Sequence, residues 1–244
     1  MSSLWMAGAA AADTISRAYY EKPTARYAHG VLGDDIEYSA LVIQSPGKPG
    51  KEASKLLVNK LVVRTNKVIV RLPVDHVFED IAPRIITLKT SSGPKEAVMV
   101  VETDVRLGAQ LALYSSSGVK LAATPHIGQR NRWLAPIGAG DLDGDGRIEV
   151  AYIDRPHLAK TLRVWRYENG QLSEVAAASG FSNHQIGWDY IEGGLRDCGN
   201  GPEMIVASGN WREVRAVRFD GSKLSSRRLG AYSAAAIKQA MACK

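Results

Sequence analysis

The sequence predicts an all-β protein, a small β-propeller of four antiparallel blades followed by a short C-terminal helix. Three observations lead to this prediction. An acidic loop runs directly into an apolar strand, a glutamate-then-apolar pattern recurs at blade-sized intervals, and hairpin-like segments follow the later recurrences. A single blade leaves apolar faces exposed, and closing several blades into a ring buries them. A fifth blade is expected if the terminal segments pair, and an open β-sandwich is the structural alternative.

The repeat is anchored on four glutamates, each followed by an apolar strand. Glu37, Glu96, Glu149 and Glu203 are 59, 53 and 54 residues apart. This period is longer than the roughly 40–50 residues of common propeller repeats. After the last three anchors come AQLALYSSSGVKLAAT, LRVWRYENGQLSEVAA and VRAVRFDGSKLSSRRL, which each read as strand, turn and strand. Asn-Gly and Asp-Gly at the later turns are typical of β-hairpins.

The N-terminal segment resembles the end of a secretory signal. Residues 1–12 carry no charged side chain and end in alanines that fit a small-residue cleavage site, although the basic start of such a signal is missing. The apolar run is much shorter than the roughly 18 residues of a membrane span. We therefore expect residues 1–12 to be a signal remnant and residues 13–244 to form one propeller domain. A non-secreted protein with an apolar tail is the alternative.

The elements before the second anchor are expected as follows. Residues 13–24 form a strand that joins the first or last blade. Residues 26–43 form two strand-like runs around a Gly-Asp-Asp turn, and residues 45–55 form a Pro/Gly/Lys loop. Residues 56–73 supply two β-rich runs with Asn66 at their turn. At the other end of the chain, SAAAIKQAMAC predicts a short helix that begins after a serine cap.

Composition is that of a globular protein with a positive surface. The 244 residues are 45% hydrophobic and 23% charged, and the formal net charge is +6. This charge favours acidic partners such as anionic surfaces or polysaccharides, although a merely solubilising surface would look the same. Lysine and arginine are scattered and form no run interleaved with aromatics, so nucleic-acid binding is not indicated.

One loop carries a metal-ligand pattern. In DLDGDGRIE, oxygen ligands stand at positions 1, 3, 5 and 9, and a backbone carbonyl stands at position 7; these are Asp141, Asp143, Asp145, Glu149 and Arg147. Ca²⁺ takes six to eight oxygens at about 2.3–2.6 Å. A divalent ion would also relieve the repulsion among neighbouring aspartates, about 1–4 kcal/mol per pair. The pattern predicts a calcium loop, and a solvated Asp-Gly turn is the alternative.

An EF-hand is excluded on two grounds. Its loop needs a bidentate glutamate at position 12, where this chain has Tyr152. It also needs a helix on each side of the loop, whereas VAYID follows the acidic loop here and reads as a strand.

The stretch GAGDLDGDGRIEVAYI, residues 138–153, resembles the FG-GAP repeat of integrin-α-like β-propellers, also called the VCBS-type repeat. The resemblance implies a propeller blade whose Ca²⁺ loop stabilises structure, and it implies no enzyme. Elsewhere it depends on the repeat pattern alone. The other repeats lack the ion ligands, because their equivalent positions are Leu88, Thr90 and Ser92 in the second and Leu195, Asp197 and Gly199 in the fourth. Tight calcium binding is therefore expected only in the third repeat.

No local motif specifies catalysis. The sequence lacks a GxSxG elbow, an HExxH pair, a CxxC pair and a dinucleotide fingerprint. A propeller can still bring equivalent loops together. His126 and His184 both precede an Ile-Gly pair, and with a carboxylate such as Asp189 they are the candidate catalytic group. Packing roles at repeated positions are the alternative.

The tryptophans and cysteines suggest contacts. The tryptophans recur once or twice per repeat and would form sugar-binding or partner-binding platforms if exposed, or blade-to-blade packing if buried; they are Trp133, Trp165, Trp188 and Trp211. Cys198 and Cys243 are the only cysteines. In an exported chain they predict a disulfide that ties the C-terminal segment to the last repeat, and two unlinked thiols are the alternative.

These patterns predict an exported, calcium-binding and non-enzymatic module, periplasmic or secreted and monomeric, that contacts a protein or polysaccharide with one face of its ring. The alternative is a periplasmic hydrolase or lyase whose active site is assembled across blades. A third hypothesis is a subdomain of a larger assembly, which would expose an apolar patch of more than a few hundred Å².

Overall fold

The computed structural model describes residues 14–46, 54–58 and 61–244, and the side chains outside residues 54–65 of these ranges. The expected signal remnant and most of the 45–55 loop lie outside the described residues. The described chain is mostly β, with antiparallel strands in three sheets and one short helix. The all-β prediction is therefore confirmed at the level of fold class.

Sixteen of the eighteen described strands fall into four units of four strands, which we call units 1 to 4. Unit 1 has the spatial order β1-β2-β4-β3, and its strands are β1 (Arg17–Thr24), β2 (Glu37–Pro46), β3 (Ser54–Val58) and β4 (Leu61–Arg71). Unit 2 is a meander of β6 (Arg84–Thr90), β7 (Gly93–Asp104), β8 (Gly108–Ser115) and β9 (Lys120–Ala123). The short strand β5 (His76–Phe78) pairs with both β2 and β7, so units 1 and 2 share one sheet.

Units 3 and 4 are separate sheets. Unit 3 is a meander of β10 (Leu134–Gly140), β11 (Ile148–Asp154), β12 (Thr161–Glu168) and β13 (Gln171–Ser179). Unit 4 contains β15 (Gly194–Asp197), β16 (Pro202–Ser208), β17 (Glu213–Phe219) and β18 (Leu224–Ala231), and the short β14 (Phe181–Ser182) pairs with the end of β16. The four anchor glutamates all lie in the second strand of a unit.

The second strands of units 2 to 4 are buried on both faces over most of their length. In β7, Val98 and Val100 pack in the cluster shared with unit 1, whereas Met99 and Val101 pack in the cluster shared with unit 3. Strand β11 is buried along its whole length and serves units 2 and 4 in the same way. Strands covered on both faces read as continuous apolar runs rather than alternating ones. This is the physical origin of the repeated apolar pattern.

The C-terminal helix covers the outer face of unit 4. Helix α1 (Ala234–Met241) begins at Ser233, whose hydroxyl accepts a hydrogen bond from the amide of Ala236 at 3.0 Å. Ile237 and Ala240 pack against the face of β16 that carries Ile205. The predicted serine cap and helix are confirmed. In the described part of the chain, no helix is long and apolar enough to cross a membrane.

The predicted disulfide is also present. Cys198 and Cys243 are bonded, with their Cα atoms 5.7 Å apart. The bond joins the turn between β15 and β16 to the C-terminal segment that follows α1. The C-terminal segment is therefore tied to unit 4 covalently as well as by packing.

Two local predictions were wrong. Asn66 lies inside β4 and pairs with Ser45 of β2, because the β3–β4 hairpin turns several residues earlier. Residues 26–36 form no strand, because the amides of Ala28 and His29 donate to the carboxylate of Glu37 and hold this segment as a loop.

The first strands of successive units contact one another, from β1 to β6, from β6 to β10 and from β10 to β15. No closed ring of sheets is formed within the part of the chain that the structure describes. The number of propeller blades and their closure therefore stay predictions.

Candidate functional site

The acidic loop connects β10 to β11 and is shaped by its own aspartates. Asp141 accepts hydrogen bonds from the amides of Gly144 and Gly146 at 2.8 and 2.9 Å. Gly144 and Gly146 have φ angles of 83° and 92°, in the left-handed region that favours glycine. The loop conformation thus follows from the Asp-x-Asp-Gly-Asp-Gly spacing.

The loop is neutralised in part by side chains of the protein. The guanidinium of Arg166 lies 2.6 Å from Asp143 Oδ2, 2.6 Å from Glu149 Oε1 and 3.2 Å from Asp145 Oδ2. Arg166 is on β12 and is the register partner of Glu149 on β11. Strand pairing therefore places this cation among the carboxylates.

Two further cations reach the same loop. Lys89 of unit 2 lies 3.3 Å from Asp141 Oδ2. The Arg147 side chain pairs with Asp145 and lowers the pKa of that carboxyl group to about 2. Of the predicted calcium ligands, Asp145 is therefore separated from the others, because its carboxylate is paired with arginine.

The remaining carboxylates fit a cation. Asp141, Asp143 and Glu149 each offer one oxygen, and these oxygens lie within 4.8 Å of one another. Ligands about 2.3–2.6 Å from a calcium ion have such separations. Glu149 is fully buried, and burial raises its pKa although Leu142 and Arg166 donate to it. These three residues could hold Ca²⁺, which would supply a rigid crosslink, while Arg166 competes for two of them.

The equivalent glutamate in unit 4 binds arginines alone. Glu203 accepts from Arg196, Arg218 and Arg227 at distances between 2.7 and 3.0 Å. Burial by itself would raise the pKa of Glu203, but these three guanidinium groups outweigh burial and lower the pKa to about 2. Glutamate with arginine is therefore the common feature of units 3 and 4, and the aspartates are peculiar to unit 3.

The structure does not bring the predicted catalytic group together. His126 bonds through Nδ1 to the carbonyl oxygen of Gly108 at 2.7 Å and lies near His76. His184 instead contacts His157, with 3.0 Å between Nδ1 of His184 and Nε2 of His157. Asp189 is exposed. His126 and His184 thus each lie beside a different histidine, His76 and His157, and neither partner was predicted.

A cavity of about 340 Å³ opens beside this histidine pair. It is bounded by the β1–β2 loop, the segment before β10 and the β11–β12 and β14–β15 loops. Its lining comprises His29, Val31, Asn131, Arg132, Trp133, Arg155, Pro156, His157, Leu158 and Ile186. Two imidazoles and two guanidinium groups thus meet apolar side chains in one concave site.

His29 is fixed by a buried carboxylate. Its Nδ1 pairs with Glu79, whose second oxygen accepts from the hydroxyl of Thr103 at 2.7 Å. Glu79 is almost fully buried, and burial raises its pKa, while His29 acts in the opposite direction. Because Nδ1 is occupied, Nε2 is the ring nitrogen of His29 left for the cavity.

The hydrogen bonds of His184 specify the tautomers of both His184 and His157. His184 Nε2 donates to the carbonyl oxygen of Trp188 at 2.9 Å, since a carbonyl can only accept. In a neutral imidazole the Nδ1 of His184 is then an acceptor, so His157 donates from Nε2 and keeps its lone pair on Nδ1. Burial, followed by the neighbouring histidines, lowers the pKa of His157 to about 4. Both rings are therefore neutral at pH 7.

The rim of this cavity has an unusual backbone. Ala28, Asn131 and Arg155 have φ angles of 49°, 52° and 46°, where non-glycine residues are strained. The amide of Asn131 donates to the Tyr27 hydroxyl at 2.7 Å, and the amide of Arg155 donates to the Trp133 carbonyl at 3.0 Å. Strain that is held by such specific contacts clusters at functional sites.

The tryptophans divide into two groups. Trp133 is buried and donates from Nε1 to the backbone oxygen of Glu79, and Trp165 packs on the same core cluster, so both serve packing. Trp188 and Trp211 are half-buried and contact Tyr190 and Tyr232. We call these four residues the aromatic strip.

The aromatic strip is continuous. The rings of Trp188 and Tyr190 are stacked at 4.6 Å, and Trp211 meets Trp188 at 5.2 Å and Tyr232 at 4.9 Å between ring centroids. The Tyr232 hydroxyl donates to Glu192 at 2.8 Å, which anchors one end. Tyr190 is 43% exposed, so the strip presents an aromatic face to solvent.

Sequence reasoning missed His29, Glu79 and His157. Each lies in a different loop or strand end, more than 45 residues from the next along the chain, and none belongs to a repeated motif. The one available signal was His184, which the sequence paired with His126 and which the structure places beside His157 instead.

In comparisons with known proteins, the chain matches no family model and no curated sequence. The resemblance to FG-GAP repeats therefore depends on residues 138–153 and on the spacing of the anchor glutamates. What that resemblance implies about calcium, propeller architecture and function is carried forward as a proposal.

Proposed function

We propose that the protein is an exported, non-enzymatic β-propeller of the FG-GAP type that binds a polysaccharide through its aromatic strip. Four successive units with an anchor glutamate in the second strand of each support the propeller, with the units as its blades. Apolar clusters shared between neighbouring units support it further.

The observation that carries the binding function is the continuous aromatic strip, of which Tyr190 is exposed and the other three rings are half-buried. Aromatic rings of Trp and Tyr combine a flat apolar face with a polar edge, which suits amphipathic partners. Their few rotatable bonds also keep the entropy cost of binding low. Here the rings are braced by one another and by the Tyr232–Glu192 hydrogen bond. Sugar rings, which are apolar on their faces and polar at their rims, match such a platform.

Charge narrows the class of polysaccharide. The net charge of +6 favours an acidic chain over a neutral one, because a positive field raises the association rate of anions. Export to the periplasm or the medium would place the protein beside such polymers. The Cys198–Cys243 disulfide is compatible with that location, since disulfides persist in oxidising compartments.

Calcium has a structural role in this proposal. Asp141, Asp143 and Glu149 would hold the ion between β10 and β11. The loop also touches unit 4, because a Cβ added at Gly221 would lie 3.0 Å from Asp143 Oδ2. An ion there would stiffen the junction between units 3 and 4.

The test compares two tyrosine variants. Tyr190→Ala removes an exposed ring of the aromatic strip, and Tyr19→Ala removes a half-buried ring on β1, away from it. In affinity electrophoresis through gels containing alginate, pectin or neutral dextran, we expect retardation by the acidic polymers. Tyr190→Ala should weaken it about tenfold, as for a moderate hot-spot residue, while Tyr19→Ala should leave it unchanged.

Two outcomes would contradict the proposal. Equal retardation of the two variants would remove the aromatic strip from the binding surface. Binding of the strip to a protein, with no retardation by any polysaccharide, would assign it to a protein partner instead.

A hydrolase or lyase is the second candidate, and one observation favours it. His29 and His157 line one cavity, each with a second buried group behind it. The neutral imidazole of His157, whose tautomer is fixed by His184, is of the type that can act as a general base. Release of reducing ends or unsaturated sugars from the retarding polymer, abolished in His157→Gln, would support this candidate.

A further inference from the structure

The histidine-lined cavity is electrostatically one-sided. Its charged side chains are those of Arg132 and Arg155, and its titratable groups are His29 and His157. Among the described residues that line the cavity, none is acidic. The nearest carboxylates are turned away, since Asp154 is bound by the guanidinium of Arg155 and Glu79 lies behind His29. A bound anion would therefore meet the guanidinium of Arg132 and no carboxylate in the described part of the cavity wall.

Arg132 has the donors to spare. Its Nη1 donates to the backbone oxygen of Asn131 at 2.9 Å, and within the described residues its guanidinium has no acidic partner. Arg155, in contrast, uses Nε and Nη2 on Asp154 at 2.8 and 3.0 Å. An arginine fork is built to bind two oxygens of a carboxylate or phosphate. Arg132 is thus the side chain that is free to make that contact.

The mouth of the cavity is apolar. Leu158 and Ile186 are 63% and 71% exposed, and Val31 and Trp133 are buried beneath them. Large apolar side chains exposed on both sides of a concave site favour a ligand with an apolar part. The cavity volume of about 340 Å³ is at the lower end of the range for small-molecule sites.

The backbone that carries Arg132 and Arg155 is preorganised. Asn131, which accepts from Arg132, and Arg155 both have left-handed backbone conformations, fixed by Tyr27 and by Trp133. A site that is already in its binding geometry loses less entropy when a ligand enters.

We propose that this cavity binds a small organic oxyanion, with its carboxylate or phosphate group at Arg132 and its apolar body against Leu158 and Ile186. The site goes beyond polysaccharide binding by the aromatic strip, which uses other side chains.

The experiment is isothermal titration of the full chain with benzoate, phenyl phosphate and benzyl alcohol. The first two share an apolar ring and differ in the oxyanion, and the alcohol keeps the ring without the charge. We expect one or both anions to bind with one site per chain and the alcohol to bind at least tenfold more weakly, since a hydrogen bond between charged groups contributes about 1.5–3 kcal/mol. Which anion binds tighter identifies the headgroup.

Matched arginine variants locate the site. Arg132→Gln should weaken binding of the anions about tenfold or more, whereas Arg228→Gln, an exposed arginine of unit 4 paired with Glu213, should not alter it. Ile186→Ser, at an exposed position where folding is not at risk, should weaken the ring-bearing anions severalfold. It should leave inorganic phosphate unaffected.

Absence of binding by both anions, or equal effects of the two arginine variants, would overturn the proposal. If Arg132→Gln did not fold, Ile186→Ser together with ¹⁵N imidazole shifts of His29 and His157 in the wild type would decide. Unmoved imidazole signals at saturating benzoate would place the ligand elsewhere. None of these variants replaces a residue of the aromatic strip. Failure of the anion experiment would therefore not contradict polysaccharide binding by the strip.

Discussion

Arg166 determines how the acidic loop is held together. It is only about 10% exposed, and its guanidinium reaches Asp143 and Glu149 at 2.6 Å each. With Lys89 and Arg147, three cations face the four carboxylates of the loop. The repulsion that suggested a divalent ion is thus reduced by the protein itself, and Ca²⁺ would have to displace or share the place of Arg166.

Replacing Arg166 with glutamine should make the protein depend more strongly on calcium. In EDTA we expect Arg166→Gln to be less stable than the wild type by about 1–3 kcal/mol, because two buried carboxylates lose a charged donor. Calcium should then raise the melting temperature of the variant more than that of the wild type. Calorimetry at constant ionic strength measures both shifts.

Arg218→Gln is the matched control, because it removes a guanidinium from Glu203, where the aspartates are missing. Calcium should not restore its stability. If calcium shifted neither the wild type nor Arg166→Gln, the acidic loop would be an arginine-held turn and the cation prediction would be wrong.

Glu203 should contribute stability that disappears in acid. Its pKa is lowered from 4.5 to about 2 in the folded protein, mainly through Arg196 and Arg227 after burial has acted against them. A carboxyl group with a lowered folded pKa binds fewer protons folded than unfolded, so its contribution is complete above about pH 4.5 and is lost towards pH 2. Glu203→Gln should cost about 2–3 kcal/mol at pH 7.

Urea unfolding of the wild type and Glu203→Gln between pH 7 and pH 2.5 tests this prediction. The two free energies of unfolding should converge as the pH falls below 4.5. If the difference between the two free energies of unfolding stayed constant over this range, Glu203 would stabilise the protein through packing and not through its charge.

At the scale of single elements, burial on both faces decides which strands the sequence reveals. Strands β7, β11 and β16 are covered on each side and read as apolar runs, and all three were located through their anchor glutamates. Strand β13, at the outer edge of unit 3, has no fully buried residue and was found only through the Asn169-Gly170 turn. Both turn residues have positive φ angles, which a tight hairpin requires.

The disulfide should hold α1 on unit 4. Opening it in Cys198→Ser should cost up to about 4 kcal/mol, the loop-entropy value for a separation of 45 residues. Because α1 has only eight residues and would be marginal alone, its amides should exchange faster in the variant. Hydrogen exchange followed by mass spectrometry measures this change.

Reduced wild-type protein should behave like Cys198→Ser, and β11, which lies two strands away from the bond, should keep its protection. Unchanged exchange in α1 would show that packing of Ile237 and Ala240 is sufficient to hold the helix.

At the scale of the whole molecule, neighbouring units share their cores. The cluster containing Leu111 lies between units 2 and 3, and the cluster containing Met204 lies between units 3 and 4. Among the described residues, the second strands of units 2 and 3 have each face buried in a cluster shared with a neighbouring unit. The units should therefore unfold together, as a single cooperative system.

Calorimetry should show one transition whose calorimetric and van't Hoff enthalpies agree. Leu111→Ala and Met204→Ala lie in different clusters. Each should lower the free energy of unfolding by about 2–5 kcal/mol and shift that same single transition to lower temperature. Val119→Ala, at an exposed position, should leave it unchanged. Two separate transitions, each shifted by only one of the core variants, would contradict the shared core.

The histidine-lined cavity exists only at this scale. His29 precedes β2, Trp133 precedes β10, His157 follows β11 and Ile186 follows β14, so three units contribute to one wall. No spacing along the chain relates these residues. The acidic loop, by contrast, is contained in nine consecutive residues, and its pattern was legible for that reason.

By itself the sequence determined the all-β class, the second strands of the four units, the serine-capped helix, the disulfide and the residues of the acidic loop. These features depend on local periodicity, turn chemistry and the count of cysteines, all of which act over a few residues. Only the tertiary structure decided that Arg166 enters the acidic loop, that Trp133 is buried while Trp188 and Trp211 join the aromatic strip, and that His184 pairs with His157 instead of His126. Each of these outcomes depends on strand register and on which units stack, and such long-range contacts leave no periodic signal in the chain.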